Sequence, residues 1–520
     1  MKNILLAGLF AITCISVQAQ DFDLNWGTVA KGTSADALYA PLGWVNGNYY
    51  TLKVDGGDGF LVKFNKELSL VSQPELFTNE KSFEAEFASV FDGKLLVMNS
   101  EYDKALSATV VKAWIYTLDG KPTATKGKVV SKFPVEKSRE SEEVNYRLST
   151  DSSKILMTMD HNMPNKEGAK FSVTVLNSSD LKEVWSTQTT VDYLDTDFGL
   201  LSSAVDNNGN VVSLAVVIGE EGKKLAAYST RAIVFQGTSG QFEDREVKIE
   251  GKYISSAFIR FGNDNKLMIS GFYNTLTEKG KSKGIEGAFI ASTGVDDLVS
   301  LDMELMEVTP TVRASITHKG WLSTDDINAY YIRDIHTRPD GSGYVIAEQR
   351  AIYRNVDGNA ETRTYIFNHM MVYGFDSNLH IQYLTAVPKL QSTTMSSPII
   401  GVGPVSIYTW TNAKTRMAYK YNSYQDVDIN GTVYLLYNDH RDNGNALSND
   451  ECKNMTNKKN ANAVVVAVGP DGKWEKTTLF AGKEVDVILE SSSCMPVANE
   501  GFIISAEKGK EIQLGRLTFK

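Results

Sequence analysis

A tight turn followed at once by a short apolar strand recurs along this chain, and this repeat restricts the possible fold most. The clearest copy runs from Asp206 to Val217, where Asn208-Gly209 precedes an apolar strand. Asn-Gly and Asp-Gly tolerate the positive φ that two-residue hairpin turns require. Eight such turns occur: Asn46-Gly47, Asp92-Gly93, Asp151-Ser152, Asn208-Gly209, Asp264-Asn265, Asp340-Gly341, Asn430-Gly431 and Asn499-Glu500-Gly501.

A second series of turns alternates with the first, and each of its members follows another apolar strand. This series comprises Asn65-Lys66, Asp119-Gly120, Asn177-Ser178, Gly237 to Gly240, Thr293-Gly294, Asp376-Ser377 and Asp471-Gly472. Each unit therefore contains four strands, which we name a to d in chain order. Four-stranded units that repeat every 40–50 residues or so are typical of a β-propeller. The sequence predicts an all-β chain of this fold.

The number of blades follows from the mismatch between the two series, eight turns against seven. The missing turn would follow the last strand, Ile512 to Phe519, where the chain ends. An extra strand at the other end, Leu24 to Ala30, could supply strand d of the last blade. We therefore predict eight blades in a ring closed by the N-terminal strand. Seven blades stay an alternative, because the stretch after Gln391 is irregular.

The first 19 residues have the pattern of a secretory signal peptide, with Lys2, an apolar run and Val-Gln-Ala ending at Ala19. We expect residues 20–520 to form a single propeller domain that is exported to the periplasm or secreted. A lipoprotein anchored through Cys14 is disfavoured, because the residues before it make a poor lipobox. No other apolar run approaches the ~20 residues of a membrane-spanning helix.

The charge and the motifs exclude several functional classes. A net charge of −10 argues against nucleic acid and against anionic membrane surfaces. The chain has no Gly-x-Ser-x-Gly elbow, no His-Glu-x-x-His pair and no phosphate-binding glycine loop. Asp426 to Gly431 matches half of a calcium loop, but Tyr437 replaces the required glutamate, which indicates a hairpin turn. We expect a monomer without cofactor or metal.

Strand alternation places the a–b and c–d turns on one face of the ring, here called the turn face. The b–c and d–a connections lie on the opposite, looped face. The insertions fall almost entirely there: 100–108, 160–169, 218–227, 273–285, 350–362, 391–419 and 438–460. Binding often uses loops on a rigid scaffold, so we predict a binding site on the looped face.

Charged residues at the ends of the b strands are the candidate binding residues. They are Glu101, Asp160, His161, Glu220, Glu348, Arg350, Asp439, His440 and Arg441. An exposed rim of this composition would suit a cation, a sugar or a basic peptide, whereas solvated strand ends are the simpler interpretation. Cys452 and Cys494 both fall on the looped face in adjacent blades, so they are a candidate disulfide, with two free thiols as the alternative.

The segments DNNGNVVSLAVV and FDGKLLVMNS, with the Val-Gln-Ala-Gln cleavage region, resemble secreted propeller-like proteins of Bacteroidetes-type Gram-negative bacteria. The resemblance implies the fold and export, and it assigns no functional residue. Two hypotheses follow for function. The first is an exported binding or scaffold protein with an unknown protein or glycan partner. The alternative is a propeller-fold carbohydrate hydrolase or lyase with two opposed carboxyl groups.

Overall fold

A computed structural model describes most of the chain. The described residues are 22–31, 38–55, 58–77, 85–124, 126–137, 141–161, 167–218, 228–236, 241–262, 264–275, 284–295, 301, 303–317, 330–357, 360–398, 420–482 and 487–520.

The chain forms eight antiparallel sheets arranged as the blades of a β-propeller, numbered here in chain order. The N-terminal strands are β1 (Phe22–Trp26) and β2 (Ala30–Lys31). Blade 1 contains β3 (Leu38–Val45), β4 (Asn48–Asp55), β5 (Asp58–Phe64), β6 (Leu70–Ser72) and β7 (Glu75–Phe77). Blade 2 contains β8 (Phe87–Phe91), β9 (Lys94–Asp103), β10 (Ala108–Thr117) and β11 (Lys128–Pro134).

Blades 3 to 5 are regular four-stranded sheets. Blade 3 contains β12 (Ser141–Leu148), β13 (Lys154–His161), β14 (Gly168–Asn177) and β15 (Glu183–Leu194). Blade 4 contains β16 (Phe198–Val205), β17 (Val211–Ile218), β18 (Tyr228–Phe235) and β19 (Phe242–Val247). Blade 5 contains β20 (Tyr253–Phe261), β21 (Leu267–Asn274), β22 (Gly287–Thr293) and β23 (Met303–Glu307), and the helix α1 (Pro310–Ile316) follows it.

Blades 6 to 8 carry the additions to the basic pattern. Blade 6 contains β24 (Tyr330–Thr337), β25 (Gly343–Asp357), β26 (Ala360–Phe375), β27 (Ile381–Val387) and β28 (Gln391–Pro398). Blade 7 contains β29 (Gln425–Ile429), β30 (Thr432–His440), β31 (Ala461–Val468) and β32 (Trp474–Ala481). Blade 8 contains β33 (Ile488–Leu489), β34 (Met495–Val497), β35 (Gly501–Lys508) and β36 (Glu511–Phe519).

The N-terminal strand closes the ring, as predicted. β1 pairs antiparallel with β36, from Phe22 opposite Phe519 to Trp26 opposite Gly515. The strand from the start of the chain is thus the outermost strand of blade 8. Closure of this kind covers a sheet edge that would otherwise be exposed. The prediction of eight blades is confirmed.

The hydrophobic core is divided among the contacts between neighbouring blades. Successive side chains of a strand point to opposite faces of its sheet. Tyr49 and Tyr50 on β4 illustrate this alternation. Tyr49 packs with Ile503 of blade 8, whereas Tyr50 packs with Leu95 of blade 2. A strand inside a blade is therefore apolar on both faces, which explains the continuous apolar runs in the sequence.

The predicted turns have the expected backbone. Asn430 and Gly431 have φ values of 52° and 88°, and Ile429 pairs with Thr432 across them. The Asp428 carboxylate accepts a hydrogen bond from the Gly431 N–H over 3.0 Å. The half calcium motif is therefore the hairpin turn that the sequence analysis favoured.

The predicted insertion 391–419 begins with a strand, because its first eight residues form β28. Strand β28 pairs with the distal half of β26, from Phe367 opposite Gln391 to Ala360 opposite Pro398. Residues 399–419 lie outside the described residues. The irregularity of this stretch therefore reflects an added strand, not a missing blade.

Candidate functional site

The looped face of blade 6 extends beyond the ring as a three-stranded structure. Strands β25 and β26 stay paired from Gly343 opposite Phe375 to Asp357 opposite Ala360. β28 lies along the distal half of β26. We call this structure the blade 6 extension. The predicted insertion at 350–362 is therefore largely strand where it is described.

The insertion of blade 7, between β30 and β31, folds against this extension. Ser392 donates its backbone N–H to the carbonyl of Met455 over 3.1 Å, and Met455 donates to Leu390 over 2.9 Å. Asn443 is fully buried, and its amide donates 2.7 Å to Asp439 Oδ1 and 3.0 Å to the Lys453 carbonyl. The side-chain amide of this asparagine therefore supplies hydrogen bonds inside the insertion that backbone groups supply in a regular strand pair.

The predicted candidate residues do not form one exposed rim. Glu348, Arg350 and Asp439 are buried, with relative exposures of 0%, 3% and 1%. Their charged groups form ion pairs inside the protein, so these three residues do not belong to a solvated rim. His440 is partly buried and Arg441 is exposed in the neighbouring turn.

The remaining candidates are dispersed over other blades. His161 is buried in blade 3, where its Nε2 lies 2.8 Å from Ser172 Oγ, and the adjacent Asp160 is half-buried. Glu101 forms an ion pair with Lys112 on the paired strand of blade 2. Glu220 lies outside the described residues.

Glu348 is the centre of a buried charged cluster between blades 6 and 7. One carboxylate oxygen accepts from Lys389 Nζ, and the other lies 2.6 Å from Arg350 Nε and 2.8 Å from Ser423 Oγ. Burial by itself would raise the pKa of Glu348, but Lys389 and Arg350 outweigh it and lower this pKa to about 2. The carboxylate is therefore charged and fully paired at neutral pH.

Ser423 contacts two guanidinium groups, that of Arg350 and that of Arg333 on the innermost strand of blade 6. Arg333 on β24 donates to Ser423 Oγ over 3.3 Å and to Gln425 Oε1 over 3.4 Å. Its guanidinium carbon lies 4.6 Å from the centroid of the Tyr424 ring. We call Arg333, Arg350, Ser423 and Glu348 the arginine–serine cluster.

A further buried group joins blades 7 and 8 on the looped face. Lys420 Nζ lies 3.0 Å from Glu490 Oε1 and 2.8 Å from Glu507 Oε2. Tyr421 donates its hydroxyl to Glu507 over 2.8 Å, and Lys458 of the blade 7 insertion lies 3.4 Å from the same carboxylate. This arrangement ties three looped-face segments together.

His369 links blade 6 to the blade 7 insertion. It is fully buried, with Tyr330 Oη at 2.6 Å from Nε2 and Asn449 Nδ2 at 2.7 Å from Nδ1. Burial, with a smaller contribution from Lys389, lowers the pKa of His369 to about 3. The imidazole is therefore neutral and acts as a structural bridge.

Sequence reasoning missed most of these partners, namely Arg333, Lys389, Lys420, Ser423, Glu490 and Glu507. Lys389 could have been noticed, because it is a lone charge in the apolar run that ends strand d of blade 6. Lys420 and Ser423 gave no such signal, since their neighbours come from other blades.

The candidate disulfide is not formed. Cys452 and Cys494 are both free, buried thiols. Cys452 packs with Ile366 and Leu390 of blade 6, whereas Cys494 packs in the cluster between blades 7 and 8. Each sulfur is thus part of a different apolar cluster. Burial raises the pKa of both thiols to about 12.

Comparisons with known proteins assign no family to the chain. No family model matches the chain, and no curated protein matches it. Among solved structures, the WD40 domain of SCAP from fission yeast is 8% identical, with coverages of 95% of this chain and 98% of that one and a TM-score of 0.35.

Two further structures have comparable scores. The propeller domain of the trilobed protease from Pyrococcus furiosus is 9% identical, with coverages of 88% and 96% and a TM-score of 0.34. An α-L-arabinanase from Penicillium chrysogenum is 12% identical, with coverages of 54% and 98% and a TM-score of 0.28.

The described part of the chain contains no candidate metal site and no candidate membrane-spanning helix. Within it, no group of three or more His, Cys, Asp or Glu side chains is placed to hold a metal ion. No helix in the same residues is long and apolar enough to cross a membrane. The buried charges described above fix the positions of loops.

Proposed function

We propose that this protein is an exported binding or scaffold protein, periplasmic or secreted, which engages its partner through the looped face of blades 6 to 8. Support for export comes from the signal-peptide pattern of residues 1–19. Support for binding comes from the unequal construction of the two faces of the ring.

The single observation that carries the proposal is the packing of the described looped-face segments of blades 6 to 8 against one another. Ser392 in the blade 6 extension is hydrogen-bonded to Met455 in the blade 7 insertion, and Lys420 before β29 pairs with Glu490 at the entry to blade 8. Within blades 6 and 7, Lys389 pairs with Glu348 and Lys476 pairs with Asp439. Lys476 Nζ lies 2.9 Å from Asp439 Oδ2. Ordering a binding surface in advance reduces the entropy lost on association.

Two exposed apolar side chains lie on the looped face. Leu447 in the blade 7 insertion has a relative exposure of 66%, and Leu106 in the b–c turn of blade 2 has 49%. Both lie on the looped face. Single exposed leucines are common, so they serve here as positions for probes, not as evidence for a partner.

Face-specific photo-crosslinking in cell-envelope extract tests the proposal. A photoreactive amino acid at Leu447 should give a discrete crosslinked product, whereas the same residue at Asp119, on the turn face, should give none. Equal products from the two positions, or a product from Asp119 alone, would reject the looped face as the binding surface.

The alternative hypothesis, a carbohydrate hydrolase or lyase, needs two carboxyl groups with opposite proton affinities. Glu490 and Glu507 have this property: burial raises the pKa of Glu490 to about 7, whereas the pKa of Glu507 is lowered to about 2. However, their exposures are only 0% and 5%, and Lys420 pairs with both. If the protein cleaves a polysaccharide, Glu507→Gln should abolish cleavage, while Glu500→Gln on the turn face should not.

A further inference from the structure

Ser423 has a backbone conformation that hairpin geometry does not explain. Its φ is +68°, in the left-handed region that residues with a Cβ rarely adopt. The other described non-glycine residues with positive φ lie in turns between paired strands, whereas Ser423 lies in the connection that enters β29. Backbone strain of this kind tends to occur where a side chain must be held for function.

The strained backbone holds the Ser423 hydroxyl between two guanidinium groups. Arg350 Nη2 donates to Ser423 Oγ over 3.1 Å, and Arg333 Nη2 donates over 3.3 Å. The same hydroxyl donates to Glu348. A hydroxyl has one hydrogen and two lone pairs, so these three bonds use its full capacity and fix its orientation. Its backbone N–H is fixed as well, by Gln391 Oε1 at 2.8 Å.

The two arginines differ in how their charges are compensated. Arg350 is buried and paired with Glu348. Arg333 is only partly buried, and within the described part of the chain its two hydrogen bonds go to the neutral acceptors Ser423 and Gln425. A guanidinium has five N–H donors in a planar fork that matches the two oxygens of an oxyanion. Stacking on Tyr424 holds this fork in place.

We propose that Arg333, with Ser423 behind it, is a binding site for an oxyanion group of a ligand: a carboxylate, a sulfate or a phosphate. This inference rests on the proposed use of the looped face and adds a ligand class to it. Arg333 is the fourth residue of β24, the innermost strand of blade 6, counted from its looped end, and it is partly exposed. It reverses the preference for cationic partners expected from the b-strand carboxylates, because Glu348 and Asp439 are already neutralised by lysines.

Calorimetric titration with one sugar in four forms tests the site. Glucuronate, glucose 6-sulfate and glucose 6-phosphate carry the three oxyanions, and glucose is the neutral control. The purified protein should bind at least one charged form and should not bind glucose. The charged form that binds identifies which oxyanion the site accepts.

Three variants locate the binding. Arg333→Gln should weaken it about tenfold or more, because a charge-assisted bond is lost. Arg333→Lys should retain part of it, since lysine keeps the charge without the fork. Arg338→Gln is the matched control: Arg338 follows the same strand on the turn face and pairs with Asp428, so binding should be unchanged.

The inference is overturned if the unmodified protein binds none of the charged sugars, or if Arg333→Gln binds as tightly as the unmodified protein. Failure of the oxyanion site is distinguishable from failure of the looped face. If only the oxyanion site is wrong, crosslinking from Leu447 persists. If the looped face is not the binding surface, crosslinking from Leu447 is absent too.

Discussion

Lys420 and Glu490 form a buried ion pair, 3.0 Å from Nζ to Oε1, at the junction of blades 7 and 8. The same ammonium lies 2.8 Å from Glu507. Burial raises the pKa of Glu490 to about 7. Burial acts in the same direction on Glu507, but hydrogen bonds with Glu490 and Lys420 outweigh it and lower its pKa to about 2. The two carboxyl groups, Glu490 and Glu507, therefore share one proton below neutral pH.

Stability should depend on pH through this pair. A carboxyl group whose pKa is raised on folding contributes stability that is complete below its unfolded pKa, near 4.5, and is lost as the pH rises to about 7. Glu490→Gln, which keeps the neutral form, should remove this loss. The variant should therefore gain about 1–3 kcal/mol relative to the unmodified protein between pH 5 and pH 8.

Urea unfolding at a series of pH values measures this difference. Glu500→Gln is the control, because Glu500 is half-exposed and pairs with Arg516 at the surface. A parallel pH dependence in the unmodified protein and in Glu490→Gln would show that Glu490 does not carry the proton.

Glu348 gives the second prediction, which replaces an expectation drawn from sequence. An exposed Glu348 could be substituted with little loss of stability, but the buried carboxylate neutralises Lys389 and Arg350. Glu348→Gln leaves two buried cations underpaired, which should cost about 3–5 kcal/mol of unfolding free energy. Glu500→Gln should cost about 0–1 kcal/mol in the same urea experiment. A similar small cost for both would argue that Glu348 is accessible to water.

The blade count could be predicted from sequence because each hairpin carries its own local signal. Asn46-Gly47 and Asp92-Gly93 have the positive φ values that these residue types tolerate. The closure by β1 could be predicted because strand counting leaves one strand over. The blade count depends on residues that are near one another in the chain, and the closure depends on a count of strands.

The charged cluster could not be predicted, because its members meet only across blades. Glu348 and Ser423 are 75 residues apart. The sequence around a charged residue at a strand end does not show whether its side chain is solvated or is paired with a buried group such as Lys389. The blade 6 extension was missed for a related reason: the Thr and Ser residues of 391–398 suit an outer strand and a linker equally well. The sequence therefore assigned Glu348, Arg350 and Asp439 correctly to the b strands of blades 6 and 7, but it did not predict that they are buried.

The two thiols give the third prediction. Because Cys452 and Cys494 are free and buried, protein that lacks residues 1–19 should react with about two equivalents of a thiol reagent after denaturation without reductant. The folded protein should react slowly, because burial raises both thiol pKa values to about 12 and little thiolate is present. Absence of reactive thiols after denaturation would indicate a disulfide.

The last prediction concerns closure of the ring. Trp26 lies across the ladder from Gly515, and a Cβ at residue 515 would meet its ring at 2.9 Å. Trp26 also contacts Phe480 of blade 7, with ring centroids 5.8 Å apart. Deletion of residues 20–32 removes these contacts and exposes the edge of β36, so the whole ring should unfold at a lower temperature in one transition.

Trp26→Ala should cost about 1–3 kcal/mol of unfolding free energy, less than a fully buried tryptophan, because the side chain is partly exposed. Asp23→Ala is the control, since the side chain of Asp23 forms, within the described residues, only a surface ion pair with Lys520 at 3.2 Å. Calorimetry that shows an unchanged melting temperature after the deletion would mean that blade 8 is stable without β1.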